Sequence, residues 1–137
     1  LNDEPFLVAY GDGVSDVNVK ALIAGHRERG LLASLTITQP PSRFGVVHLE
    51  GDSVDAFQEK PRLDGWVNIG YFVFEPEVLA YLRDDGPLER EPLARLAKDG
   101  QLGAYRHSGF WQPMDTYKEA EMLNRLWESN NAPWGKA

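Results

Sequence analysis

An α/β fold with a mostly parallel sheet, flanking helices and an inserted β-hairpin is predicted from three observations. Phe6-Leu7-Val8-Ala9-Tyr10 is an unbroken apolar run, as in strands buried on both faces of a parallel sheet. A helical period and a second β-rich run, Leu32 to Thr38, follow it, and a strand-helix-strand unit of this length implies a parallel pair. A third apolar run, Val67 to Phe74, comes after a stretch with hairpin spacing.

Taken in order, Phe6 to Tyr10 ends in the turn Gly11-Asp12-Gly13. Ser15 or Asp16 is placed to cap a helix over about Val17 to Arg29, with Val19, Leu22, Ile23 and His26 on one face. Gly30 stops it. Gln39-Pro40-Pro41-Ser42 breaks the pattern after the second strand. Gly45 to Leu49 and Ser53 to Gln58 then read as a hairpin turning near Glu50-Gly51-Asp52. Glu75-Pro76 stops the third strand. A short helix over Glu77 to Arg83, a turn at Asp84 to Pro87 and a helix over Glu89 to Lys98 follow, with Leu93, Leu96 and Ala97 inward and Gly100 closing. Leu102 to His107 is strand-like, and Asp115 or Thr116 caps a last helix over about Tyr117 to Ser129. Residues 130–137 read as a loose tail.

Composition narrows the function. Hydrophobic content of 42% and charged content of 26% suit one globular domain over residues 1–137. The net charge of −7 argues against a broad nucleic-acid surface. No apolar run approaches the roughly 18–20 residues that span a membrane. With no cysteine there is neither a disulfide framework nor a Cys-based zinc site, which fits a cytoplasmic location. A central-type strand within ten residues of the start, with no initiating Met, predicts that the chain is a fragment. It also predicts an exposed strand edge at Phe6 to Tyr10, to be covered in a homo-oligomer.

Several residues can carry chemistry. Asp12 sits directly after a buried strand, where ligands of open α/β sheets gather. Its carboxylate suits magnesium, although a Gly-Asp-Gly turn also explains it. Glu59-Lys60-Pro61 ends a hairpin strand. Lys60 offers a compact charge to a phosphate and Glu59 accepts from sugar hydroxyls, against the simpler reading of a solvated charge pair. Alternation would send the two to opposite faces unless Pro61 lets the chain turn. Asn68 is out of place in an apolar strand unless it is paired or binding, and Gly70 allows close approach. Arg43 suits an anion and the Gly45 amide a hydroxyl, in what is otherwise a surface loop. Asp115 is either a helix cap or a second metal carboxylate opposite Asp12. His26, His48 and His107 show no metal spacing and read as structural or surface residues. There is no Gly-rich phosphate loop of the P-loop or dinucleotide type.

In combination, six stretches resemble the sugar-phosphate nucleotidyltransferases: Tyr10-Gly11-Asp12-Gly13-Val14-Ser15-Asp16, Pro40-Pro41-Ser42-Arg43-Phe44-Gly45, Phe57-Gln58-Glu59-Lys60-Pro61, Asn68-Ile69-Gly70-Tyr71-Phe72-Val73, Glu89-Arg90-Glu91-Pro92-Leu93 and Gly109-Phe110-Trp111-Gln112-Pro113-Met114-Asp115-Thr116. Each is weak alone; their order and spacing are specific. The resemblance implies a partial Rossmann-like nucleotidyltransferase fold and transfer of a nucleotidyl group to a sugar 1-phosphate. The subgroup it looks most like joins CTP to α-D-glucose 1-phosphate, giving CDP-glucose and pyrophosphate for bacterial surface polysaccharide. Carried over, Asp12 and Asp115 hold Mg2+, Lys60 contacts the sugar phosphate, Glu59 and the Gly45 amide bind glucose hydroxyls, and Asn68 and Gly70 line the sugar site. The family's opening Gly-rich segment is missing, so these residues resemble its carboxyl-terminal, sugar-binding portion, expected to be inactive alone. The alternative is a non-catalytic sugar-phosphate-binding or assembly module with the same fold. A retaining glycosyltransferase fits less well, because no close Asp-x-Asp pair stands at Asp12.

Overall fold

The apolar runs become strands of one mixed sheet in a computed structural model that describes residues 3–82 and 86–135. The elements are β1 (Phe6–Ala9), β2 (Gly13–Ser15), α1 (Val19–Arg29), β3 (Ala33–Thr38), β4 (Val46–Glu50), β5 (Ser53–Gln58), β6 (Val67–Phe74), α2 (Glu91–Lys98), β7 (Leu102–Arg106), β8 (Trp111–Pro113) and α3 (Tyr117–Glu128). Short 3-10 turns cover Pro76–Tyr81 and Pro133–Gly135. The main sheet has the order β1-β6-β3-β7.

This order corrects the expectation of a mostly parallel sheet. β1 and β3 do run the same way, but β6 lies between them and pairs antiparallel with both. Only β3 and β7 form a parallel ladder. Three strands thus share a direction while two of the three ladders are antiparallel. An apolar run does not encode its own orientation, so β6 reads identically either way. The α/β class, flanking helices and β4–β5 hairpin are as expected, the hairpin turning at Gly51 with φ +60°.

Alternation along β3 divides the two faces. Ala33 belongs to a core with Phe72, Phe74, Val78, Leu93 and Leu96, which places α2 and the first 3-10 turn on that face. The rings of Phe72 and Phe74 stack at 5.3 Å, with Phe6 and Tyr10 edge-on at 5.8 and 5.6 Å. Ser34 points the other way, toward α1. There the buried His26 ring bridges Ser34 Oγ at 2.9 Å and Glu75 Oε1 at 3.0 Å, tying α1 to the ends of two strands. His26→Ala is expected to cost about 2–4 kcal/mol, because it leaves a cavity and strips the buried Ser34 of a partner. Urea denaturation measures it; a loss under about 1 kcal/mol would mean the bridge is redundant.

Local boundaries shift by a few residues. α1 starts later than expected: Asn18 is its cap, accepting from the Ala21 amide at 3.0 Å, because Ser15 belongs to β2 and Asp16 binds the Phe110 amide. Gly30 ends α1 with φ +61°. The expected short helix is a 3-10 turn, and Ala97 is exposed. Arg83, Asp84 and Asp85, on which part of that helix and the following turn fall, lie outside the described residues, as do Lys136 and Ala137. The tail differs from a loose segment as far as Gly135: Ala132 is buried and Trp134 lies 5.4 Å from the Phe110 ring. β1 is an edge strand, with Leu7 exposed on it.

Candidate active site

A second small sheet, absent from the sequence expectations, builds the centre of the site. Gly13 pairs with Pro113, Val14 with Gln112 and Ser15 with Trp111. The Met114 amide donates to the Asp12 carbonyl at 2.7 Å. These bonds bring the backbone of Asp12 alongside the chain that carries Asp115 one residue on. The knot Ser15–Asp16–His107–Phe110 anchors one end of this pair. There His107 Nε2 lies 3.1 Å from Asp16 Oδ1 and 3.0 Å from the Phe110 carbonyl, and Asp16 accepts from the Phe110 amide at 2.7 Å. His107 and His26 are buried and structural and His48 is exposed, as their spacing implied.

Asp115 is not the helix cap. Thr116 is, in a capping box in which Glu119 accepts from the Asp115 and Thr116 amides at 2.9 Å each. The Asp115 carboxylate is thereby left exposed and without a capping duty. Burial pushes Glu119 upward, but these bonds and the nearby Arg43 charge outweigh it and hold its carboxyl below the usual carboxylate range.

The Arg43 and Lys60 motifs meet at the foot of the hairpin. The Ser42 amide donates to the Pro61 carbonyl at 2.7 Å, and the Leu63 amide to Pro40 at 3.0 Å. β5 ends at Gln58, and Lys60 takes a left-handed backbone with φ +46°. The turn therefore occurs at Lys60 itself, one residue before Pro61. Glu59 lies against Gly45, where a Cβ would sit 3.3 Å from Oε2 and 2.7 Å from the Phe57 ring. Arg43 and Lys60 line a groove of about 840 Å3 together with Gln112, Thr116 and the Lys118 and Arg125 side of α3.

Asn68 and Gly70 do something the sequence did not reveal. Asn68 Nδ2 donates to the Tyr10 hydroxyl at 3.1 Å, and its Oδ1 accepts from the Gly70 amide at 2.9 Å. Gly70 has φ +82°, and a Cβ there would fall 2.2 Å from the Tyr10 ring. Both residues thus buttress Tyr10, whose hydroxyl donates to Glu89. Tyr10, Gly11, Asp12 and Glu89 line a second cavity, of about 420 Å3. Glu89 is the residue that sequence reasoning left without a role; only its place in the Glu89-Arg90-Glu91-Pro92-Leu93 stretch singled it out.

Desolvation, reinforced by the bond to Glu89, pushes the Tyr10 phenol up to about 12. The same bond holds Glu89 below its usual range. A phenol raised in the folded chain contributes stability that is complete below its unfolded value of 10.0 and is lost as pH rises through about 12. Tyr10→Phe is therefore expected to remove the latest-titrating phenol and flatten the alkaline loss of stability. Ultraviolet tyrosinate titration checks this; an unchanged final step would contradict it.

The donor set can be tested against a metal. Among the described residues no three His, Cys, Asp or Glu side chains gather as a metal cage. Asp12 and Asp115 are exposed carboxylates, the donor type that magnesium takes; it binds few protein carboxylates and completes its shell with water and substrate phosphates.

Asp12 at the end of β1 and a hairpin foot carrying Arg43 and Lys60 thus stand on a mixed α/β fold. A family model described as nucleotidyl transferase matches residues 1–101, and the chain belongs to this family. It is 47% identical over 135 residues to glucose-1-phosphate cytidylyltransferase of Salmonella typhi, covering 97% of this chain and 52% of that protein. It is 31% identical over 125 residues to mannose-1-phosphate guanylyltransferase catalytic subunit beta of Danio rerio, covering 86% of this chain and 35% of that one. The chain therefore spans about half, or less, of the length of these curated relatives. Its fold matches the solved structure of a protein assigned as a glucose-1-phosphate thymidylyltransferase from Bacillus anthracis, in complex with sucrose. The TM-score is 0.63 at 19% identity, over 91% of this chain and 55% of that one. No helix among the described residues is long and apolar enough to cross a membrane.

Proposed function

We propose that these residues form the sugar-phosphate-binding portion of a glucose-1-phosphate cytidylyltransferase, acting with CTP and α-D-glucose 1-phosphate. What supports the reading is the Met114–Asp12 backbone bond, which brings the Asp12 backbone alongside the segment that carries Asp115, together with the groove that Gln112 and Thr116 of that segment line with Arg43 and Lys60. The sugar phosphate is a monoester already ionised near neutral pH, so no strong base is needed. An oxygen of that phosphate attacks the α-phosphorus of CTP, the bond to the β-phosphate breaks, and pyrophosphate leaves. The task is to hold two anions in line and offset their repulsion.

Lys60 and Arg43 hold the sugar phosphate, and Glu59 with the Gly45 amide accepts and donates to glucose hydroxyls. Asn68 and Gly70 serve the sugar site by fixing Tyr10 and the end of β1. Asp12 and Asp115 would hold magnesium, which would supply charge neutralisation to the phosphates when bound. The Gly-rich triphosphate segment of the family is not among these 137 residues, so sugar-phosphate binding without turnover is the expected behaviour.

Titration calorimetry of the chain with α-D-glucose 1-phosphate, with and without magnesium and CTP, tests the reading. Saturable binding of the sugar phosphate that strengthens with magnesium is expected, together with a silent coupled pyrophosphate assay. No binding of the sugar phosphate would defeat the assignment; robust magnesium-dependent turnover would defeat the expected inactivity.

A further inference from the structure

The groove at the hairpin foot carries more positive charge than one phosphate engages. Arg43 and Lys60 line it from the hairpin side, and Lys118 and Arg125 line it from α3. All four are exposed, in a chain whose net charge is −7. The ion pairs among the described residues are His26–Glu75, His107–Asp16 and Arg125–Glu121, so Arg43, Lys60 and Lys118 enter none. The Arg125–Glu121 contact is long, at 4.0 Å, and open to water, which makes it weak. Glu119, the other acid of the groove, spends its carboxylate on the Asp115 and Thr116 amides.

Lys118 and Arg125 stand about two turns apart on α3, roughly 10 Å along its axis, with Met122 between them on the same lining side. Their long side chains can converge over Met122 on one anion. The groove, at about 840 Å3, is at the upper end of the range for a small-ligand site. A phosphate oxygen takes its cationic partners within about 3 Å. A single phosphate seated at the hairpin foot therefore leaves the α3 pair without an anion. Two phosphates joined by a sugar ring match both walls.

We propose that the groove takes a hexose bisphosphate, with its 1-phosphate at Arg43 and Lys60 and its second phosphate at Lys118 and Arg125. The hairpin half of this assignment rests on the sugar-phosphate reading above; the α3 half does not. Glucose 1-phosphate occupies the same groove with the α3 wall unfilled, so the bisphosphate competes with it.

Titration calorimetry of the 137-residue chain at low salt tests this with α-D-glucose 1-phosphate, α-D-glucose 1,6-bisphosphate and inorganic phosphate. The bisphosphate is expected to bind at least about tenfold more tightly than glucose 1-phosphate, the scale of one added charge-assisted contact, and to lose more affinity as salt is raised. Lys118→Gln and Arg125→Gln are each expected to remove about five- to tenfold of the bisphosphate affinity and to leave that for glucose 1-phosphate within about twofold. Glu121→Gln frees Arg125 and is expected to raise bisphosphate affinity about two- to threefold, a gain that damage to the fold does not mimic. A bisphosphate no tighter than the monophosphate, or an advantage that survives both α3 changes, would overturn the proposal. So would inorganic phosphate binding beside glucose 1-phosphate with the same dependence on Lys118 and Arg125, which assigns the α3 wall to a free anion. Bisphosphate binding that needs Lys118 and Arg125, with no binding of glucose 1-phosphate, would uphold the α3 subsite and defeat the 1-phosphate reading instead.

Discussion

Gly70→Ala is expected to cost about 3–5 kcal/mol of folding stability, a large share of what a small domain has. Two effects add. The backbone at Gly70 has φ +82°, which an alanine adopts only under strain of about 1–2 kcal/mol. Its Cβ would also fall 2.2, 2.5 and 2.9 Å from the Cδ2, Cγ and Cβ atoms of Tyr10, so the ring must leave its place. That ring packs edge-on against Phe72, and its hydroxyl holds Asn68 and Glu89. Urea denaturation gives the loss directly. Tyr10→Ala in the same background removes the two ring clashes but keeps the 2.9 Å approach to the residue-10 Cβ and the strain, so it should return part of the deficit. A midpoint unchanged by Gly70→Ala would mean that the bend in β6 does not depend on the missing side chain.

Lys60→Gly should separate stability from binding. Lys60 holds φ +46°, a conformation that glycine adopts freely and lysine does not. Removing the side chain is thus expected to leave stability unchanged or raise it by about 1 kcal/mol. The same change deletes the ammonium from the groove shared with Arg43. Affinity for glucose 1-phosphate should fall about 10- to 100-fold, the scale of one charge-assisted hydrogen bond. Calorimetry and denaturation on the same sample give both values. Unaltered affinity would remove Lys60 from the phosphate site, and a clear loss of stability would mean that its stem is a packing element.

Much of the architecture was legible because it rests on near neighbours. The hairpin turn at Gly51, the α1 stop at Gly30 and the start of α3 at Tyr117 each depend on a few adjacent residues. β2 and β8 were not legible, since three residues are too few to show a period and their only signal is each other. The place of β6 between β1 and β3 was hidden for a related reason: its apolar pattern is the same in either direction. Asn68 was correctly singled out as a polar group in an apolar strand. That its amide would be spent on Tyr10 and Gly70, rather than left for a ligand, depended on a strand from a distant part of the chain. Glu89 had no linear signal beyond its place in the Glu89-Arg90-Glu91-Pro92-Leu93 stretch, and its role became notable only beside Tyr10 and Asp12.

From residue types and their order alone came the α/β class, the hairpin and the list of groups able to handle a phosphate. These follow from backbone preferences and side-chain chemistry that act over a few residues. Which of those groups stand together was settled by long-range backbone bonds, above all Met114 to Asp12 and Ser42 to Pro61. Such bonds form only once competing strand pairings have been resolved by packing of the whole core, and no short stretch of the chain carries that outcome.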